Sequence, residues 1–284
     1  MQAIKIGGDI NKDEVKLLIG KYFSNSKVNI QEKDYEGRFE FLFSFGKRKD
    51  LDDISFYNTI TQMVNDILME IYFKQLIKDR VFKICSDYRG TDKAKIASYT
   101  HTNLKNENYF VREKSIVMEE ILNHIIENNV LYIDGFMNFR LRKFLYMLDI
   151  AIEKAINQIE AEKEYVEFLN MLQYFVEIQE PKADLINVVI KDGNYSLYDK
   201  EHIPIENGLL SNLEDDLWYE DVSKADLLIS SLIVLSPLKL TIHIEEGEER
   251  ELIDVITKVF KGKVEFCRGC EFCEIKPKIK KGKY

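Results

Sequence analysis

The sequence predicts an α+β protein, with short strand units at both ends and a helical middle. Three observations carry this. Between Leu51 and Pro181 there is no other proline, glycine occurs only at 90 and 135, and apolar residues recur at three- and four-residue spacing. Outside that stretch, short runs alternate apolar with polar residues and are separated by glycine turns. Hydrophobic residues make up 45% of the 284-residue chain, enough for one large core or two modest ones.

Ala3 to Ile6 reads as a strand. Asn11 or Asp13 can cap a helix whose apolar stripe is Val15, Leu18, Ile19 and Tyr22. Val28 to Lys33 and Arg38 to Phe45 alternate around Tyr35-Glu36-Gly37, a hairpin pattern. The N-terminal unit, 1–50, is therefore β-α-β-β. In the helical region, 51–181, Ile60, Val64, Ile67, Leu68, Ile71, Ile77 and Val81 mark a first helical run. Gly90 breaks the pattern, and Thr91 or Asp92 can cap the next helix. A third run covers Val111 to Asn128, and Asn128-Asn129 with Asp134-Gly135 brackets a turn.

The last helical stretch carries the longest pattern. Leu141, Leu145, Leu148, Ile152, Ala155, Ile159, Glu162, Val166, Leu169, Gln173 and Val176 are spaced alternately by four and three. This predicts one long helix or a helix broken near Glu160–Glu164. Phe168, Leu172 and Phe175 widen the apolar face and predict burial in a helical bundle, which could also serve self-association or a protein partner. Pro181 ends the helix.

A C-terminal α/β unit, 182–273, follows. Leu185 to Ile190 is a strand, Asp192-Gly193 a hairpin turn and Tyr195 to Tyr198 the returning strand. An acidic loop holds Glu214, Asp215, Asp216, Glu220 and Asp221. Ser223 to Leu235 reads as a helix, Lys239 to Ile244 as a strand, Glu248 to Phe260 as a helix and Lys263 to Cys267 as a strand. Residues 4–28 and 240–264 echo each other as strand-helix-strand, so the two terminal units could share one sheet. A basic tail, 274–284, closes the chain.

Formal net charge is −9. The tail carries five Lys against Glu274, so it is basic and the remainder is more acidic than the whole. An acidic body argues against broad nucleic-acid binding, which depends on neutralising phosphates, although the tail could touch an anionic surface. The longest strongly apolar run, Leu227 to Leu238, contains three Ser and Pro237, and it falls short of the ~20 residues that cross a bilayer. The first residues lack a secretory apolar core, so the expectation is a cytoplasmic protein with reduced thiols. Phosphate-binding, dinucleotide-binding, zinc-protease and serine-hydrolase motifs are absent from the sequence.

Three of the four cysteines form Cys267-Arg-Gly-Cys270-Glu-Phe-Cys273. This spacing lets soft thiolates converge on zinc or an iron–sulfur cluster. Gly269 removes bulk inside the wrap. A fourth ligand could be His243, which alternates with Ile242 and Ile244 on a strand, or Cys85. A structural metal in a non-enzymatic protein, a thiol or iron–sulfur redox function, and a nucleic-acid-binding module using the basic tail all fit the pattern. Arg140 and Arg142 form a second polar candidate, since arginine binds carboxylates in bidentate fashion. Ion pairing with Glu162, Glu164 or Glu167 inside the bundle is the simpler expectation for them.

Three stretches resemble the YtxC-like family, sporulation proteins of endospore-forming Gram-positive bacteria. They are Asp134-Gly-Phe-Met-Asn-Phe-Arg140-Leu; Glu164-Tyr-Val-Glu-Phe-Leu continuing to Leu172–Pro181; and Asp226–Ile233 with Ser236-Pro237, Ile242-His243, Val259-Phe260 and Cys267–Cys273. The resemblance implies a role in sporulation and a bacterial cytoplasm, and it implies no reaction. The three cysteines and His243 fit the family's pattern, whereas Cys85 has no place in it.

Overall fold

A computed structural model describes residues 2–24, 26, 28–35, 37–45, 53–205, 223–244 and 249–270. The fold is α+β, and the chain divides into two compact units, Met1–Ala161 and Glu162–Tyr284.

The first unit opens with β1 (Gln2–Gly8), α1 (Lys12–Phe23), β2 (Asn29–Tyr35) and β3 (Arg38–Phe45). Asn11 caps α1, its side chain accepting from the amides of Asp13 and Glu14. α2 (Asp53–Ile67) runs through one π-helical turn, Leu68–Tyr72, into α3 (Phe73–Ile84). The extra residue of the π turn resets the helical phase, so Ile67, Leu68, Ile71, Phe73 and Ile77 all reach the core. α4 (Gly90–Lys105) and α5 (Val111–Asn128) follow, then β4 (Val130–Tyr132), α6 (Ile133–Phe139), a 3₁₀ turn at Arg142–Phe144 and α7 (Tyr146–Ile178). Neither Thr91 nor Asp92 caps α4. The residue ahead of it is Arg89, and no side chain caps that end.

The sheet order is β2-β3-β1-β4. The stretch expected to be a turn, 128–135, instead contains β4, which pairs parallel to β1 (Ile6 opposite Leu131). Three residues between two helices are too short to show a period, which is why the sequence hides them. This strand ties the helical middle to the N-terminal sheet, so the first boundary expected near residue 50 is not where the units part.

One face of the sheet presents Ile4, Ile6, Phe39, Phe41 and Phe43, all buried. Val15, Ile19 and Phe23 of α1 and Phe56, Ile60, Met63, Val64 and Ile67 of α2 join them in one core. Each such side chain contributes about 1.5–3 kcal/mol by leaving water. The Tyr22 hydroxyl donates to Asp66 Oδ2 at 2.6 Å, tying α1 to α2, and burial together with this carboxylate pushes the phenol up to about 12. Arg80 of α3 holds Asp149 of α7 at 2.7 and 2.8 Å.

The other face carries a polar row across three strands. Gly7 lies opposite Glu40 on one side and Tyr132 on the other. The Tyr132 hydroxyl donates to Glu40, and Lys5 Nζ lies 3.4 Å from that carboxylate. A Cβ on Gly7 would stand 2.8 Å from the Phe39 carbonyl oxygen and 2.9 Å from the Tyr132 ring. Glycine therefore lets the ring lie flat enough to reach Glu40. Gly7→Ala is expected to cost about 1–3 kcal/mol in urea denaturation, the range for overpacking.

The Tyr132 hydrogen bond, and then Lys5, hold the Glu40 carboxyl below its usual range. A depressed folded pKa stabilises above the unfolded value of about 4.3 and is lost as pH falls through the folded one. Glu40→Gln should therefore be less stable than the parent at neutral pH. That gap should narrow as denaturation is repeated toward a pH of about 3.

The second unit contains the end of α7, β5 (Ala183–Lys191), β6 (Asn194–Tyr198), α8 (Lys224–Leu235), β7 (Pro237–His243), α9 (Arg250–Val259) and β8 (Val264–Phe266). Asp192 and Gly193 both take positive φ (51° and 71°), as a tight hairpin turn requires. The Ser223–Asp226 capping box starts α8. The sheet order is β6-β5-β7-β8, with β5, β7 and β8 parallel. The acidic loop 214–221 lies outside the described residues.

The strands of the two ends thus lie in two separate sheets rather than one. The internal echo stops at the level of elements. β7 pairs directly with β8, whereas β1 pairs with β3 and β4 and not with β2.

α7 is continuous over 33 residues, about 50 Å. It begins at Tyr146, so Leu141 and Leu145 precede it. The apolar stripe is continuous in sequence but serves two cores. Leu148, Ile152, Ala155 and Ile159 belong to the first, Leu169 and Val176 to the second. The interruption at Glu162 falls at the boundary between the units. Phe168 and Phe175 are about half exposed (48% and 44%), so the expected enclosure in a bundle is replaced by packing of Leu169 and Val176 onto the second core.

Candidate metal centre

In the second sheet, Ile186, Val188 and Ile190 of β5 and Leu240 and Ile242 of β7 enter the core. Residues between them point to the opposite face. Asn187 and His243 occupy that face, and both are buried at 4% and 3% exposure. A strand as apolar as β5 spends a buried position on Asn187 only if its amide is satisfied. It is. Nδ2 donates to the Asp199 carbonyl at 2.8 Å, which leaves Oδ1 turned to His243 Nε2 at 3.1 Å.

This fixes the imidazole tautomer. The amide nitrogen is committed to a carbonyl, so Oδ1 is the acceptor and Nε2 carries the proton. Nδ1 then presents a lone pair on the other side of the ring. There it meets Cys270 Sγ at 3.7 Å. Burial, and then the neighbouring His202, hold the imidazole below its usual pKa.

β8 delivers the cysteines. Its parallel pairing with β7 sets Phe266 opposite Ile242, and the Cys267 amide continues the ladder by donating to the Ile242 carbonyl at 2.9 Å. The chain then turns back at Gly269, whose φ of 105° suits glycine alone. The Gly269 amide donates to Cys267 Sγ at 3.3 Å, a contact that favours the thiolate. The cluster sits where two parallel strands end, the usual place for sites in such sheets.

His243, Cys267 and Cys270 offer ligand atoms that all lie within 4.8 Å of one another. In a tetrahedral zinc site, bonds of about 2.3 Å to sulfur and 2.0–2.1 Å to nitrogen give an S–N edge of about 3.6 Å. The Nδ1–Sγ separation of 3.7 Å fits that edge. The donor set also fits, with two soft sulfurs, one imidazole and a second-shell amide orienting the imidazole.

Cys273 lies outside the described residues. Cys85 is not part of this group. It is buried in the core of the first unit, and burial pushes its thiol up. Arg140 and Arg142 are both exposed, at the end of α6 and in the 3₁₀ turn after it. Asp134, from the same stretch, pairs with Arg38 at 3.2 Å. Sequence reasoning missed Asn187. Its signal was one amide inside the apolar run Leu185 to Ile190.

The YtxC-like family matches residues 57–265. That span takes in Asn187 and His243 and stops just short of Cys267. The uncharacterised protein YtxC of Bacillus subtilis (strain 168) is 25% identical over 153 residues, 54% of this chain and 53% of that protein. The chain thus spans about half the length of that relative. No solved structure matches. Among the described residues, no helix is long and apolar enough to cross a membrane.

Proposed function

We propose, for a chain that belongs to the YtxC-like family, that its C-terminal unit holds a structural zinc ion on His243 Nδ1, Cys267, Cys270 and Cys273. In this reading the protein is a non-enzymatic, sporulation-associated cytoplasmic protein that works through interaction or self-association by its helical region. The sporulation role rests on the family resemblance. The metal site rests on geometry, and the 3.7 Å approach of Nδ1 to Cys270 Sγ carries it. Bound zinc would supply a cross-link from the end of β7 to the chain after β8, and its binding energy would act as folding energy.

Chelation tests this. Thermal unfolding with a strong chelator should show a lower Tm that returns on adding zinc. An unchanged Tm would contradict a structural metal.

Exposed Cys270 supports a second reading, an iron–sulfur or thiol redox centre. Colour in protein purified without oxygen would favour it. A nucleic-acid role rests only on the charge of the tail, which lies outside the described residues.

A further inference from the structure

α3 and α4 are joined by only a few residues, so they run antiparallel as neighbours. Between them lies a groove of about 530 Å³. That volume is within the ~300–1,000 Å³ of small-molecule sites. α3 contributes Lys74, Ile77, Lys78, Val81 and Phe82, a stripe at helical spacing. α4 contributes Gly90, Lys93, Ala94, Ala97, Ser98 and His101, over about 16 Å of helix. The small α4 residues leave the space, Phe82 makes its accessible wall apolar, and Ile77 and Val81 lie buried beneath its floor.

The ionisable groups lining the groove are lysines and one histidine, with no carboxylate. Lys93 is already engaged, donating to the Ser86 carbonyl at 3.1 Å and lying 5.4 Å from the Phe82 ring centroid. His101 Nε2 lies 3.2 Å from the Met69 carbonyl oxygen. Lys74 and Lys78 are exposed and, among the described residues, pair with no carboxylate. The antiparallel arrangement puts them across from the Ser98–His101 end, and Phe82 across from Gly90. An apolar trough with two uncommitted ammonium groups at one end complements an apolar tail with an anionic head.

We propose that this groove binds a long-chain carboxylate, its head held by Lys74 and Lys78 and its tail lying along Ala94 and Ala97 toward the exposed ring of Phe82. The test is calorimetric titration of the full chain with dodecanoate below its micelle concentration, with dodecylamine as the tail-matched cation. Saturable one-to-one binding of dodecanoate and none of dodecylamine is expected. Lys74→Glu with Lys78→Glu should weaken dodecanoate at least about tenfold. Ala94→Trp, at an exposed position, should block it by filling the groove. Circular dichroism on each variant confirms that it folds.

Three results would overturn the proposal. One is no saturable binding by the parent, including the case in which an acidic amphipathic peptide binds instead. Another is equal binding of the amine. The third is dodecanoate binding that survives both the charge reversal and the Trp variant.

Discussion

Cys270→Ser is expected to weaken metal binding by more than about a hundredfold, beyond the 10–100-fold typical of losing a second-shell partner. Serine keeps the size and removes the thiolate facing His243 Nδ1 at 3.7 Å. At a metal concentration that saturates the parent, a hundredfold loss removes about 2.7 kcal/mol of stability. Competition with a chromophoric chelator reads the affinity, and thermal unfolding with zinc present reads the stability. The two should fall together, and without zinc the parent and variant should unfold within about 0.5 kcal/mol of one another, as surface substitutions do. Cys270 is exposed, so little packing is lost.

Asn187→Leu should produce the second large effect. The amide serves two neighbours, the buried His243 Nε2–H and the part-buried Asp199 carbonyl. Leucine serves neither, at about 1–3 kcal/mol for each group left without its partner. The ring also loses the bond that turns Nδ1 toward the cysteines, so metal affinity should fall about 10–100-fold. Asn187→Asp separates the two roles. Its carboxylate still accepts from Nε2–H but cannot donate to the Asp199 carbonyl. It should keep zinc affinity near the parent while losing stability in urea. Equal metal loss in both variants would show that the hydrogen bond to His243 does not orient the ligand.

Much of this architecture is legible in the sequence because it follows from period and punctuation. The run Val111 to Asn128 is α5 to the residue, since Asn129 takes a left-handed φ of 55° and closes it. Asp192-Gly193 makes the hairpin turn it announces. Alternation alone puts His243 on the face opposite Ile242. What stays hidden is what depends on distant partners. β4 is a strand only because β1 offers it an edge. The π turn at Leu68–Tyr72 leaves no local signature. The stripe along α7 reads as a single seam because helical period cannot say which core each residue serves.

The site divides the same way. Spacing brought Cys267 and Cys270 forward, and alternation brought His243. Asn187 could be justified only after Asp199 and His243 were seen on either side of its amide. Residue type alone offers both His243 and Cys85 as a fourth ligand, the family resemblance favours His243, and burial in the first unit's core takes Cys85 out of the group.

The most direct test of the metal centre is elemental analysis, with a visible spectrum, of protein purified without oxygen and without added metal. One zinc per chain and no colour is the predicted result, and Cys270→Ser should lose that zinc. Metal-free protein with freely titratable thiols at Cys267 and Cys270, or iron with broad visible absorption, would contradict the account.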